Sequence, residues 1–103
     1  MNIRLRTMTA REYGDFLTYS KIHHADELMK EINLTADEAL QETEKELKEM
    51  LPDGLDTKDN HLMVIEEMAD QRIVGFIWYL SEWTGGVKQV FLWDFVIYEP
   101  ERR

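Results

Sequence analysis

The stretch Val87-Lys88-Gln89-Val90-Phe91-Leu92-Trp93-Asp94-Phe95-Val96-Ile97-Tyr98 decides the fold of this chain. Alternation sets Phe91, Trp93, Phe95 and Ile97 against Val90, Leu92, Val96 and Tyr98, and both sets are apolar. A strand written this way expects cover on both sides, because a half-exposed strand alternates apolar with polar residues. Working back along the chain, Gly85-Gly86 reads as a hairpin turn and 72–83 as a second strand of the same kind. That strand carries Ile73, Gly75, Ile77 and Tyr79 on one face and Val74, Phe76, Trp78 and Leu80 on the other. Asp70-Gln71 is a further turn, and 61–68 a third strand.

The first half of the chain has a different period. Asn2 to Met8 alternates, with Ile3 and Leu5 opposite Arg4 and Arg6, as in a short half-exposed strand. Thr9 with Glu12, and Thr35 with Glu38, match the capping box, in which hydroxyl and carboxylate each satisfy a backbone donor at a helix start. The first helix runs to about Lys30, with Tyr13, Phe16, Leu17, Ser20, Ile22, Ala25, Leu28 and Met29 near helical spacing. The second places Ala39, Leu40, Thr43, Leu47 and Met50 or Leu51 inward, and its Glu and Lys run outward, until Pro52-Asp53-Gly54 stops it. The fold class is therefore α+β: strand, helix, helix, then three antiparallel strands. Two helices joined by a short link cannot cover both faces of such a sheet, so one apolar face is expected to lack a partner.

The 103 residues are one domain's worth, 44% hydrophobic and 11% aromatic, enough for a modest core. Twelve Lys and Arg against 21 Asp and Glu give a net charge of −9, with no extended basic cluster. Nucleic acid and anionic membrane are excluded as partners, since the phosphate attraction that drives such binding would be repulsion. The acidic surface favours a cationic or amine-bearing ligand, or else serves solubility alone. The absence of Cys removes disulfides, thiolate nucleophiles and Cys-ligated zinc. No apolar run is long enough to span a bilayer and the N-terminus lacks a signal-peptide core, so a cytoplasmic protein is expected.

Asp94 is the residue that stands out chemically. By alternation it shares a face with Leu92, Val96 and Tyr98, where desolvation would raise a carboxyl pKa towards the range of a general base. The other reading is an Asp at a bulge or sheet edge bonded to backbone. His23-His24 is not a metal pair, because adjacent helical residues point about 100° apart. His23 could reach Glu27, but no third ligand is evident and no metal is expected. His61 is a pocket acid or base, or a residue packed at a turn. Trp78, Trp83, Trp93, Tyr79 and Tyr98 are a cleft wall or simply core.

The whole layout, together with Asp94-Phe95-Val96-Ile97-Tyr98-Glu99-Pro100-Glu101-Arg102-Arg103, resembles the GNAT superfamily of acetyl-CoA-dependent N-acetyltransferases. In that family the fourth strand commonly ends in a stretch like V-x-P-E-x-R and runs at once into a Gly-rich turn. Thr9-Ala10-Arg11-Glu12-Tyr13, Leu51-Pro52-Asp53-Gly54-Leu55-Asp56-Thr57 and Ile73-Val74-Gly75-Phe76-Ile77-Trp78 look like a subgroup of small bacterial members. The resemblance implies that 1–103 is a single partial GNAT-like domain, the N-terminal half or so, ending at the start of the pyrophosphate-binding signature. It implies acetyl-CoA as co-substrate and an amine-bearing small molecule or peptide as acceptor, the deprotonated amine attacking the thioester directly. Val96, Ile97 and Tyr98 match the strand end whose backbone holds the pantetheine arm, and Arg103 the residue that opens the pyrophosphate signature. Asp94 lies on the strand face from which some members' general base projects, and Tyr19, His23 and Met29 would border the acceptor pocket. Because the Gly-rich turn does not follow Arg103, this chain alone is expected to bind acetyl-CoA weakly and catalyse little. The alternative is a non-catalytic module that uses its uncovered sheet to form a homodimer or bind a partner.

Overall fold

The computed structural model describes residues 2–98. Its elements are β1 (Ile3–Thr7), α1 (Ala10–Ile32), α2 (Ala36–Met50), a 3₁₀ turn (Gly54–Asp56), β2 (Asn60–Glu67), β3 (Arg72–Thr84) and β4 (Val87–Ile97). The strands form one antiparallel sheet in the order β1-β2-β3-β4, which is the α+β layout expected. Arg103 lies outside the described residues.

Both helices begin where the capping boxes place them. Thr9 Oγ1 accepts from the Glu12 N–H and Glu12 Oε1 accepts from the Thr9 N–H; Thr35 and Glu38 repeat the arrangement. Asn33 closes α1 in the left-handed conformation, which a short polar side chain tolerates. Beyond α2, Gly54 at φ +60 turns the chain towards β2.

Glu12 does more than cap. Arg6 of β1 donates to its two oxygens at 3.0 and 2.9 Å and also reaches Glu66 of β2 at 3.3 Å. The Arg6 hydrogen bonds hold the Glu12 carboxyl down at about 2. A depressed carboxyl pKa stabilises the fold above the ordinary value of 4.5, and the contribution is lost as pH falls towards 2. Glu12→Gln is expected to lower stability by about 1 kcal/mol near neutral pH. In urea unfolding, the gap from the parent protein should close as the pH is lowered through that window.

The core lies between the helices and one sheet face: Phe16 of α1, Met8 and Leu51 beside it, and Leu62, Val64, Phe76 and Trp78 of the sheet. Thr43 of α2 is fully buried because its hydroxyl donates to the Ala39 carbonyl at 2.8 Å. Ile22 and Leu40, expected inward, are 58% and 38% exposed. Ile22 stands six residues from Phe16, about 240° round the helix.

Two bulges alter the strand faces read by simple alternation. The β2–β3 register shifts at Ile65/Glu66, so Ile73 pairs with Glu66 and packs on the helix-facing core rather than siding with Gly75 and Ile77. The β3–β4 register shifts at Trp78/Tyr79: Asp94 pairs with Trp78 and Leu92 with Tyr79, leaving Trp93 as the extra residue. Asp94 thus keeps the face of Val96 and Tyr98, but Leu92 is turned to the other side. Away from the helices, Ile3 and Leu5 on β1 and Phe95 on β4 are about half exposed, and Val90 and Leu92 more so. No helix of the described residues is long and apolar enough to cross a membrane.

Candidate functional site

α1, α2 and the β3–β4 side of the sheet enclose a cleft of about 580 Å³, within the range of small-molecule sites. Tyr19, Ser20, His23, His24 and Glu27 reach it from α1, and Thr43, Glu46, Leu47 and Met50 from α2. Trp78, Trp93, Asp94 and Val96 form the sheet wall.

The bulge at Trp93 builds that wall. An extra residue in one strand bends it and re-aims side chains, and here both Trp93 and Asp94 line the cleft, with the Trp93 ring 6.1 Å from that of Trp78. The Trp78 indole N–H donates to Asn60 Oδ1 at 2.9 Å, which fixes its ring as a rigid partition between core and cleft. Asp94 Oδ1 accepts from the Phe95 N–H at 2.9 Å. Burial pushes the Asp94 carboxyl above its ordinary value and the charge of Glu27 adds to the rise, while the Phe95 N–H and the imidazoles of His23 and His24 act against it. Asp94 therefore combines the two readings made of it: it sits at a bulge bonded to backbone, and it is also a partly desolvated carboxyl with a raised pKa.

On α1, Tyr19 stacks on His23 at 4.0 Å and meets Tyr98 edge-on at 5.8 Å. Burial holds the Tyr98 hydroxyl above its ordinary pKa, and the nearby Tyr19, Asp15 and Glu12 add to the rise. It is His24, not His23, that reaches Glu27: its Nδ1 lies 3.8 Å from Glu27 and its Nε2 2.7 Å from Glu46. This imidazole bridges α1 to α2 across the cleft. Among the described residues, no group of three or more His, Cys, Asp or Glu is placed to hold a metal.

Of the residues singled out from sequence, the cleft brings together Asp94, Val96, Tyr19 and His23; Met29 is not in its lining. Trp78 and Trp93, read as cleft wall or core, and Glu27, considered beside His23, are also in the lining, while Ser20 and Glu46 join it without having been singled out as site residues, Glu46 having been read as part of a solvated face. Ser20 is 9% exposed, and its Oγ is a buried polar atom with no hydrogen-bond partner.

β4 is the last strand of the sheet, so one of its edges is unpaired among the described residues. The Tyr98 N–H donates to the Val74 carbonyl at 2.8 Å. Backbone groups alternate sides along a strand, so Val96 and Tyr98 turn theirs towards β3 and Ile97 turns its own towards the open edge. That edge offers the donor and acceptor that an extended amide chain would require.

No family model matches the chain. It is 31% identical over 102 residues to the uncharacterized N-acetyltransferase YycN of Bacillus subtilis, covering 99% of this chain and 65% of that protein. A crystal structure of YycN from Bacillus subtilis superposes with a TM-score of 0.86 at 31% identity, over 98% of this chain and 64% of the other. The chain thus spans slightly less than two thirds of the relative it matches. Sequence and fold agree in making this chain similar, along essentially its whole length, to the N-acetyltransferase YycN, and its α+β fold is GNAT-like.

Proposed function

We propose that the protein serves the transfer of an acetyl group from acetyl-CoA to an amine, carried by a small molecule or a peptide, with the cleft receiving the amine. The observation that carries this reading is Asp94, a carboxylate of raised pKa that a bulge sets into an aromatic cleft beside the open edge of β4. Bound acetyl-CoA supplies a thioester, an acetyl group already activated towards an amine with a thiol as leaving group. The open backbone of Ile97 would hold its arm.

An amine enters the cleft as an ammonium and must lose a proton before it can attack. With Oδ1 held by the Phe95 N–H, Asp94 keeps Oδ2 to take that proton. Tyr19, Trp78 and Trp93 shield the amine from water and orient it. The base must be ionised, so the rate should fall as pH falls through the raised carboxyl pKa. Asp94→Asn is expected to lower transfer about a hundredfold and to abolish this acid limb. Release of free thiol from acetyl-CoA in the presence of an amine, followed across pH, checks both; an unchanged rate and profile would remove Asp94 as the base.

A second reading is favoured by the apolar residues of β4: Val87, Val90, Leu92 and Phe95 are each more than half exposed. It makes the chain a non-catalytic module whose open strand pairs with a second copy. Sedimentation should then show a dimer at low micromolar concentration, and a monomer at much higher concentration removes this reading. The acetyl-transfer reading includes a cytoplasmic setting, where acetyl-CoA would be drawn upon.

A further inference from the structure

We infer that the cleft takes an acceptor with two cationic groups, an aliphatic diamine, rather than a simple monoamine; this rests on the acceptor reading proposed above. The cleft carries carboxylates at two places: Asp94 on β4, and Glu27 and Glu46 on the two helices, flanking His24. Among the described residues its lining includes neither Lys nor Arg. A reacting amine gives its proton to Asp94 and then needs no counter-charge. Glu27 and Glu46 would remain uncompensated by it, whereas a second ammonium that stays charged throughout would pair with them.

The walls between these two places suit an alkyl chain ending in a cation. Trp78, Trp93 and Tyr19 line the cleft with aromatic rings, which pack against methylenes and attract an ammonium. Ser20 gives an independent sign of a missing ligand. Ser20 lines the same cleft and is nine-tenths buried, and its Oγ bonds to nothing, although Thr43 across the cleft satisfies its hydroxyl on the Ala39 carbonyl. A buried hydroxyl left unpaired costs stability, and an N–H of a bound diamine would satisfy it. Burying an ammonium unpaired would be worse than leaving it in water, so the second cation must be met by charge rather than by ring faces alone.

The test is calorimetric titration of the 103-residue protein with 1,4-diaminobutane, n-butylamine and 4-amino-1-butanol, the last matching the diamine in length with a neutral end. The diamine should bind at least about fivefold more tightly than either control at low salt, with the preference shrinking as salt is raised. In the Glu27→Gln/Glu46→Gln double variant the preference should fall to about twofold or less, the diamine losing more affinity than 4-amino-1-butanol. Equal affinities for the three amines, no binding of any, or a preference untouched by the double variant overturns the inference. A diamine preference without acetyl transfer at acetyl-CoA concentrations that saturate the protein would leave this inference standing and remove the transferase reading. Transfer to monoamines and diamines alike would do the reverse.

Discussion

Replacing Phe16 with Ala is expected to lower the stability of this protein by about 4 kcal/mol, the largest loss available from a single side chain here. Phe16 is 1% exposed and joins α1 to the sheet. Its ring meets Phe76 edge-on at 5.0 Å and Trp78 edge-on at 5.8 Å, and stacks with Tyr13 at 5.9 Å. Truncation removes these contacts and leaves a cavity that Met8, Leu51 and Leu62, on separate elements, cannot collapse to fill. A domain of this size holds only about 5–15 kcal/mol in total, and its net charge of −9 works against compactness, so F16A should be partly unfolded at ambient temperature. Urea unfolding followed by circular dichroism and tryptophan fluorescence reads the shift. Phe95→Ala is the control, since Phe95 is 54% exposed and should cost about 1 kcal/mol or less. Equal losses at the two positions would mean that the sheet packs on the opposite face.

The order of elements was legible because each is announced locally. Two Thr-x-x-Glu boxes mark the helix starts, Gly85-Gly86 takes the positive φ that a tight hairpin needs, and the strands alternate. What alternation could not show was the pair of bulges. A bulge depends on how one strand pairs with its neighbour, so Leu92 and Ile73 were set on the wrong faces while Asp94, beyond the slip, was set on the right one.

The cleft was legible to the same degree. Asp94 shows in sequence as an acid inside an apolar strand, and Tyr19 and His23, four residues apart on one helix face, both line the cleft. Glu46 could not be found this way. It belongs to a run of Glu and Lys that reads as solvated surface, and only the packing of α2 beside α1 brings it within 2.7 Å of His24. With Asp94 and Glu27 it brings the carboxylates of the cleft to three.

Gly75→Ala should be the most damaging change made without removing a single heavy atom. A Cβ at Gly75 would stand 2.1 Å from the Val96 carbonyl oxygen and 3.1 Å from the Ile97 Cα, both backbone, so no rotamer change can relieve it. β3 and β4 must separate there, at an expected loss of about 3 kcal/mol. The site is the one that matters for the proposed chemistry. Gly75 pairs with Ile97, whose outward backbone forms the open edge, and Val96 lines the cleft two residues beyond Asp94. Displacing this segment should therefore disturb both cofactor and acceptor sides at once. Amide hydrogen exchange should show lost protection over 94–98 in G75A, with α1 retaining its own. Gly14→Ala is the matched control: nothing lies within 4 Å of its added Cβ, and in a helix interior the change should stabilise by about 0.5–1 kcal/mol. If G75A keeps parent-like protection across β4, the close approach of the two strands is not what glycine provides at this position.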